Sequence, residues 1–243
     1  MKTINVTIWN EFRHEKKNPI VQEIYPEGIH ACIKAFLDVN EDMNVRLAAL
    51  DDPDQGLPDE VLESTDVLIW WGHLAHGEVS DELVEKIRQR VYLGKMGFMA
   101  LHSAHKSKPF RSIIGTTGNL SWGREQKEIM WTLLPAHPIA AGIPDHFILP
   151  EEELYSEPFY IPQPDELIFC GWFEDGHVMR AGATFLTGAG KVFYFQPGHE
   201  TYPTYKDPNV QRIITNAVRW AKPVSRIDNC MDCPWVPKVG EEE

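Results

Sequence analysis

The sequence predicts an α/β fold in which a mostly parallel central sheet lies between two layers of helices. In the first half of the chain, short apolar runs alternate with amphipathic segments of helical length. The runs are apolar throughout, which is typical of parallel strands covered on both faces. Strands and helices that alternate in this way form right-handed βαβ units. At 243 residues, 43% hydrophobic and 11% aromatic, the chain can bury a sizeable core.

The first half contains four predicted strands, at residues 4–9, 45–50, 66–72 and 96–101. Gly28 begins a helix whose apolar residues recur at helical spacing. Ser80 can cap a second helix, which Gly94 ends. The polar stretch at 10–17 carries too many charges for the core, so we expect it at the surface.

The second half of the chain is richer in proline and less regular. Its predicted strands are at residues 167–173, 178–183 and 191–196. Asp207 caps the last helix, and Pro223 follows the end of that helix. The acidic run at 151–157 is expected to be a solvated face. We expect residues 1–223 to form a single domain and residues 224–243 to form a loosely held C-terminal tail.

Charge and composition exclude several classes of protein. With 23 Lys and Arg against 36 Asp and Glu, the formal charge is −13, which argues against a nucleic acid or an anionic membrane as partner. No stretch approaches the ~20 apolar residues needed to span a bilayer, and the first residues lack the pattern of a signal peptide. Cys32 and Cys170 stand alone in apolar surroundings, as expected of reduced core residues. We therefore expect a cytoplasmic protein, and its aromatic residues favour a homo-oligomer.

Six of the ten histidines fall just after predicted strands. They are His14 after the first strand, His73 and His76 after the third, His102 and His105 after the fourth, and His199, followed by Glu200, after the strand at 191–196. In an open parallel sheet, ligands bind outside the carboxyl ends of the strands. We therefore expect a functional cluster at one edge of the sheet. Converging imidazoles can bind Zn²⁺ or Mn²⁺, or act as acid and base near neutral pH, and the spacing does not separate these roles.

Two further motifs could carry chemistry. The strand that ends at Leu101 runs into His102 and Ser103 in the manner of a nucleophile elbow, so Ser103 could be a nucleophile. The flanking glycines of that motif are absent, however. Cys230 and Cys233 form a C-x-x-C pair in the tail, which is half of a zinc site without a second pair.

Aromatic, basic and acidic side chains near the strand ends would suit a polyhydroxylated ligand such as a sugar. The candidates for binding it are Trp71, Lys108, Trp122, Arg124, Glu157 and Tyr202. This expectation rests on composition, since aromatic platforms beside charged groups suit such ligands.

Three stretches of the chain resemble the ThuA (trehalose utilisation) family. They are DVLIWWGH at 66–73 with His76 after it, LHSAH at 101–105, and GKVFYFQPGHE at 190–200. The resemblance runs from about Asn5 to Pro223. It implies a flavodoxin-like sheet of the class I glutamine amidotransferase type, and so a three-layer sandwich. It also implies a role in the catabolism of disaccharides such as trehalose, alongside dehydrogenases that make keto-sugars.

The chain departs from true amidotransferases at their catalytic residues. Those enzymes place a nucleophilic cysteine at the elbow after the fourth strand, where this chain has His102. Their histidine and glutamate follow a late strand as His-Pro-Glu, whereas the corresponding stretch here ends in His199 and Glu200. The missing cysteine excludes glutamine hydrolysis by a Cys–His–Glu triad. It favours a metal or acid–base site over covalent catalysis.

The leading hypothesis is an enzyme that acts on a sugar or keto-sugar, by proton transfer next to a carbonyl or by glycosidic cleavage that this transfer starts. His102, His199 and Glu200 would be catalytic. The residues expected to bind a divalent metal, Zn²⁺ or Mn²⁺, are His14, His73, His76 and His105. No nucleotide cofactor is expected. The alternatives are a noncatalytic carbohydrate-binding or regulatory protein, and a metal- or serine-dependent hydrolase.

Overall fold

The computed structural model describes residues 3–224, 235 and 237–240. Within these residues the chain forms nine strands and seven α-helices. The strands are β1 (Ile4–Asn10), β2 (Met43–Ala49), β3 (Val67–Trp71), β4 (Gly97–Leu101), β5 (Ser121–Thr132), β6 (His146–Ser156), β7 (Glu166–Phe173), β8 (Val178–Thr187) and β9 (Gly190–Phe195). The helices are α1 (His14–Lys17), α2 (Pro19–Ile24), α3 (Ile29–Leu37), α4 (Asp59–Ser64), α5 (Asp81–Tyr92), α6 (Lys108–Ile114) and α7 (Pro208–Ala221).

The described strands form one mixed sheet in the order β2-β1-β3-β4-β9-β8-β7-β5-β6. The pairs from β2 across to β9 are parallel, and the pairs from β9 across to β6 are antiparallel. Every residue of β3 and β4 is buried, as expected of parallel strands covered on both faces. The predicted α/β class is confirmed, and the sheet divides into a parallel half and an antiparallel half.

Helices cover both faces of the parallel half. Helix α3 packs on β1 and β2, α7 packs on β4 and β9, and these two helices touch each other. Helices α5 and α6 also pack together, and they contact β9 and β8. The crossovers through α3 and α5 run in opposite directions from the middle of the sheet, so their right-handedness places these helices on opposite faces. The strand order therefore reverses between β1 and β3, which is where α/β sheets bind ligands.

The predicted helix starts are confirmed. The Ser80 hydroxyl accepts from the Leu83 amide at 3.2 Å at the start of α5. The Asp207 carboxylate accepts from the amides of Asn209 and Val210 at the start of α7. These caps satisfy amides that have no partner within the first turn of a helix.

The second half is more regular than its prolines suggest. Residues 121–156 contain the long strands β5 and β6, which pair with each other. Pro150 is tolerated because β6 is an edge strand, where a residue without an N–H can face away from the ladder. The expectation that the acidic run at 151–157 is a solvated face is wrong, because Glu152 is fully buried.

The polar stretch at 10–17 also differs from expectation. Asn10, Glu11 and Glu15 are buried. Several of their polar atoms are hydrogen-bonded: Glu15 Oε1 accepts from the Asn10 side chain at 2.6 Å and from the Ile29 amide at 3.2 Å. Hydrogen bonds of this kind offset the cost of burying polar groups.

The thiols and the C-terminal segment bear on the remaining predictions. Cys32 and Cys170 are free and partly buried, whereas Cys230 and Cys233 lie outside the described residues. None of the described helices is both long and apolar enough to cross a membrane. The division into a domain at 1–223 and a tail at 224–243 stays a prediction, as does the homo-oligomer.

Candidate active site

Four histidines meet at the carboxyl edge of the parallel half. His14 follows β1, His73 follows β3, His102 follows β4 and His199 follows β9, so strands that are close in the sheet bring them together. The ring centroids are 5.0 Å apart for His14 and His73, 5.6 Å for His73 and His199, and 5.4 Å for His102 and His199. This group is referred to below as the imidazole cluster. It lies beside the reversal of strand order, the usual position of a ligand site.

Glu200 joins two members of the cluster and is 3% exposed. Its Oε1 lies 3.3 Å from His14 Nδ1, and its Oε2 lies 3.1 Å from His73 Nδ1. Burial opposes ionisation of this carboxyl, but the bond from His73 and the neighbouring imidazoles outweigh it and lower the pKa to about 2. Glu200 is therefore a carboxylate at neutral pH, and it orients both rings.

His102 forms the sharp turn after β4. Its backbone φ is 50°, in the left-handed region that few residues other than glycine adopt. Its Nδ1 lies 2.9 Å from the Gln196 carbonyl oxygen, its Nε2 lies 3.1 Å from Glu153 Oε2, and its ring stacks on Tyr155. Burial opposes the charged form of His102, but the bond to Glu153 and the nearby carboxyl groups outweigh it, so the pKa is raised.

His199 lies between the two carboxylates. Its Nε2 is 3.6 Å from Glu200 Oε1 and 3.9 Å from Glu153 Oε2. On the other side of the ring, Nδ1 lies 2.8 Å from the Thr201 hydroxyl and 3.3 Å from the Thr201 amide nitrogen. Burial lowers the pKa of His199 to about 4, so this ring is neutral at neutral pH.

Two buried glutamates hold the loops that carry the histidines. Glu11 accepts hydrogen bonds from three successive amides that begin at His73, at 2.7 to 2.8 Å. Glu152 accepts from the amides of Gly198 and His199 at 2.9 and 3.1 Å. Neither glutamate was among the residues that the sequence predicts, and neither was Glu153. Glu11 comes directly after the first strand, where the same strand-end pattern that identifies the histidines could have found it, whereas Glu152 and Glu153 stand in a charged run, which more often indicates a solvated surface.

A cavity of about 270 Å³ opens beside the cluster. It is lined by His73, His76, Ser103, His105, Lys106, Leu120, Trp122, Glu153 and Tyr155. Trp122 is 74% exposed, so its ring is available to a ligand. A larger cleft of about 470 Å³ lies near Ser80 and Lys86, and among the described residues no histidine lines it. The smaller cavity is therefore the candidate binding site.

His76 and His105 line the cavity rather than joining Glu200 or Glu153. The His105 Nδ1 donates to the Gly118 carbonyl oxygen at 2.5 Å, which leaves the lone pair on Nε2. Burial lowers the pKa of His105 to about 3 and that of His76 to about 4. The four predicted metal ligands are therefore not brought together as one set. In the described part of the chain, the groups whose atoms could share one ion are His14, His73 and Glu200, and His102, Glu153 and His199.

Three of the predicted sugar-binding residues are aromatic, and all lie at or beside the site. Trp122 lines the cavity, and the Tyr202 ring lies 5.4 Å from that of His199. Trp71 is fully buried, and its Nε1 donates to the Gly198 carbonyl oxygen at 3.1 Å. Trp71 therefore supports the loop that carries His199 rather than facing a ligand.

The three charged candidates lie in other surroundings. The Lys108 ammonium donates to Asp81 at 2.8 Å. Glu157 pairs with Arg180 through both carboxylate oxygens. Arg124 is exposed on β5. None of the three is among the described residues that line the cavity.

Ser103 lines the cavity, but the elbow histidine does not activate it. Its hydroxyl lies 3.1 Å from the Tyr155 hydroxyl. Both ring nitrogens of His102 are bonded elsewhere, to Gln196 and Glu153. The arrangement therefore favours carboxylate–imidazole chemistry over a serine nucleophile.

Comparison with known proteins finds one family model that matches most of the chain. The sequence matches the family model described as trehalose utilisation (ThuA) over residues 5–221. It matches no curated protein.

Solved structures with the same fold come from several bacteria. A ThuA-like protein from Parabacteroides merdae is 15% identical, covers 93% of each chain and has a TM-score of 0.69. A ThuA-like protein from Bacteroides uniformis is 16% identical over 90% of this chain and 91% of that chain, with a TM-score of 0.61. A cytoplasmic protein from Salmonella typhimurium is 12% identical over 90% of this chain and 99% of that chain, with a TM-score of 0.53. At these identities the likeness shows the fold.

Proposed function

Because the chain belongs to the ThuA (trehalose utilisation) family, we propose that it is an enzyme of disaccharide utilisation that acts on a sugar or keto-sugar. The substrate would occupy the cavity beside the imidazole cluster. The observation that carries the proposal is the contact of 3.1 Å between Glu200 Oε2 and His73 Nδ1, at the border of that cavity. We also propose a cytoplasmic location, which the description of the Salmonella protein supports.

The cavity suits one sugar ring. Its volume of about 270 Å³ lies just below the usual range for ligand sites, which starts at about 300 Å³. The exposed Trp122 ring offers an apolar surface to the C–H face of a sugar. Lys106, Glu153 and the neutral ring of His105 offer hydrogen bonds to its hydroxyl groups.

His73 is the proposed general base. Glu200 accepts the Nδ1 hydrogen of His73 and so leaves the lone pair of the ring on Nε2, as a carboxylate does for the histidine of a catalytic triad. His73 is also the most exposed of the four rings in the cluster. It is therefore the ring that can reach a substrate in the cavity.

On a keto-disaccharide, His73 Nε2 takes the proton from the carbon next to the ketone, and the electron pair moves onto the carbonyl oxygen. As the carbonyl reforms, a C=C double bond forms between the deprotonated carbon and the adjacent anomeric carbon, and the glycosidic C–O bond at that anomeric carbon breaks. The imidazolium then returns its proton to the departing oxygen. The step needs no oxidant, because protons and electrons balance within it. General acid–base catalysis of this kind typically raises a reaction rate by about 10²–10⁴-fold.

Turnover of a panel of keto-disaccharides, followed by mass spectrometry, tests the proposal. We expect turnover to fall at least about 100-fold in His73→Asn and in Glu200→Gln. His73→Asn should unfold close to the wild-type midpoint, whereas Glu200→Gln loses a buried carboxylate whose pKa is lowered, so it should unfold at a lower temperature while remaining folded under assay conditions. His177→Asn is the matched control, because His177 is exposed and pairs with Asp175 away from the cluster. Full turnover in His73→Asn contradicts the proposal. Calorimetric binding of the panel without any product indicates a noncatalytic sugar-binding protein instead.

A further inference from the structure

We infer that His102 Nε2, His199 Nε2 and Glu153 Oε2 bind one divalent cation of the Zn²⁺ type. The donor set is two imidazoles and one carboxylate, which is the set found in many catalytic zinc sites. The inference deepens the proposed function, on which the catalytic role of the ion rests. Binding of the ion can be measured without turnover.

The Gln196 carbonyl fixes the tautomer of His102. A carbonyl oxygen only accepts hydrogen bonds, so Nδ1 carries the hydrogen and Nε2 of the neutral ring carries the lone pair. That lone pair meets a carboxylate oxygen of Glu153 at 3.1 Å. Two acceptors at this distance repel each other unless a proton or a cation lies between them. Histidines that bind metals usually donate their other ring hydrogen to a carbonyl or carboxylate in this way.

A third donor atom favours a cation over a proton. A proton joins one pair of atoms, whereas His199 Nε2 also faces Glu153 Oε2, at 3.9 Å. His199 Nδ1 lies nearer to the Thr201 hydroxyl, at 2.8 Å, than to the Thr201 amide, at 3.3 Å, and a cation on Nε2 requires the tautomer in which Nδ1 donates to that hydroxyl. The three atoms all lie within 4.8 Å of one another. Two ligands that are each about 2.1 Å from a tetrahedral ion lie about 3.4 Å apart. The observed separations of 3.1 and 3.9 Å lie on either side of that value.

The surrounding charge also favours a dication. Among the described residues, the ion-pair partners of Glu153 and Glu200 are all histidines. These carboxylates therefore lack the Lys or Arg partner that usually accompanies a buried acidic group. A bound divalent ion supplies the missing positive charge at the point where the two carboxylates approach each other.

The neighbouring group of His14, His73 and Glu200 does not need an ion. His73 Nδ1 is hydrogen-bonded to one oxygen of the Glu200 carboxylate at 3.1 Å, and His14 Nδ1 lies 3.3 Å from the other oxygen, so ring N–H groups can face this carboxylate without a cation. The same contacts orient His73 as the proposed base. We therefore assign the cation to the group of His102, Glu153 and His199.

The ion would lie beside the cavity, because Glu153 lines it. When bound there, a divalent ion stabilises the negative charge that forms on the carbonyl oxygen of a keto-sugar. The residues of this site would then have two roles. His73 and Glu200 move the proton, and His102, Glu153 and His199 bind the ion.

Zinc binding by the full chain tests the inference. Protein stripped with a chelator is titrated with Zn²⁺ in a calorimeter, and bound metal is counted by mass spectrometry. We expect one Zn²⁺ per chain, and an affinity at least about 100-fold lower in Glu153→Gln and in His199→Gln. The matched controls are Glu174→Gln, in a surface ion pair with Lys127, and His177→Asn, and both should bind as the wild type does.

Thermal unfolding with and without Zn²⁺ keeps the test decisive if a variant folds poorly. Zn²⁺ should raise the midpoint of the wild type and of a Cys230→Ser/Cys233→Ser double variant. Three outcomes would each overturn the inference. The wild type binds no Zn²⁺, the double cysteine variant loses its zinc, or zinc binding is lost in His14→Gln but kept in Glu153→Gln. Zinc bound as expected in a protein that turns over no keto-sugar overturns the proposed function and leaves the ion site standing.

Discussion

Glu152 holds the loop that carries His199 through several hydrogen bonds. Its two oxygens accept from the amides of Gly198 and His199 and from the Thr204 hydroxyl. In Glu152→Gln, an NH₂ group replaces one of these acceptors and faces hydrogen-bond donors. We expect the free energy of unfolding to fall by about 1–3 kcal/mol, measured by urea denaturation at pH 7.

The control for this change is Glu151→Gln, which alters the preceding and exposed residue of the same strand. It should change the free energy of unfolding by less than about 0.5 kcal/mol. A Glu152→Gln protein as stable as the wild type would show that the loop after β9 is held by other contacts.

At the scale of residues, the histidines could be predicted because a strand end is a local pattern in the sequence. Glu152 and Glu153 could not, since a glutamate in a charged run has the same local pattern whether it is solvated or bonded to a distant loop. The amide of Gly198 lies 46 residues away from Glu152 along the chain. Only the paired strands bring such groups together.

At the scale of the elements, strand β5 contains Glu128, a buried carboxyl group in the antiparallel half of the sheet. Neither oxygen of Glu128 has a hydrogen-bond partner among the described residues. Burial raises the pKa of Glu128 well above its ordinary value, and the nearby Glu152 raises it further. Gly171 on β7 leaves room for this side chain, because a Cβ there would overlap the carboxyl.

Glu128→Gln should stabilise the protein, and more so as the pH rises. Above about pH 4.5 the unfolded chain releases the Glu128 proton, whereas the folded chain retains it to higher pH. The contribution of Glu128 to stability is therefore fully present below pH 4.5 and is lost as the pH rises through the folded pKa. Urea denaturation at pH 4.5 and pH 8 should show a gain for the variant that is larger at pH 8 by about 1 kcal/mol or more. A gain that does not grow with pH contradicts the burial argument.

The parallel strands could be predicted because both of their faces are buried, which makes them apolar along their whole length. Strand β6 could not, because it contains Pro150 and successive glutamates and owes its extended form to pairing with β5. Its position at the edge of the sheet explains why the proline is accepted. The same strand supplies Glu152 and Glu153, so the part of the fold that the sequence predicts least well completes the site.

At the scale of the whole molecule, burial keeps several histidines neutral. It lowers the pKa of His76 and His199 to about 4 and that of His105 to about 3, from an ordinary value of 6.5. Below pH 6.5 the unfolded chain therefore binds protons that the folded chain does not. The free energy of unfolding should fall as the pH falls from 6.5 toward 4.

His105→Gln tests this pH dependence, because glutamine can still donate to the Gly118 carbonyl but does not titrate. We expect the wild type to lose stability between pH 7 and pH 5 in urea denaturation, and the variant to lose less. His177→Asn, at an exposed site, should lose as much as the wild type does. Equal losses in the wild type and in His105→Gln would show that this ring is protonated in the folded protein.

Hydrogen exchange in the substrate tests the removal of a proton by His73 most directly. Proton NMR of a keto-disaccharide in D₂O follows the signal of the hydrogen next to the ketone while the protein is present. With the wild type this signal should disappear, and in His73→Asn and Glu200→Gln its loss should slow at least about 100-fold. No exchange with the wild type, or exchange at the wild-type rate in both variants, would contradict the assignment of His73 and Glu200 as the base and its orienting group.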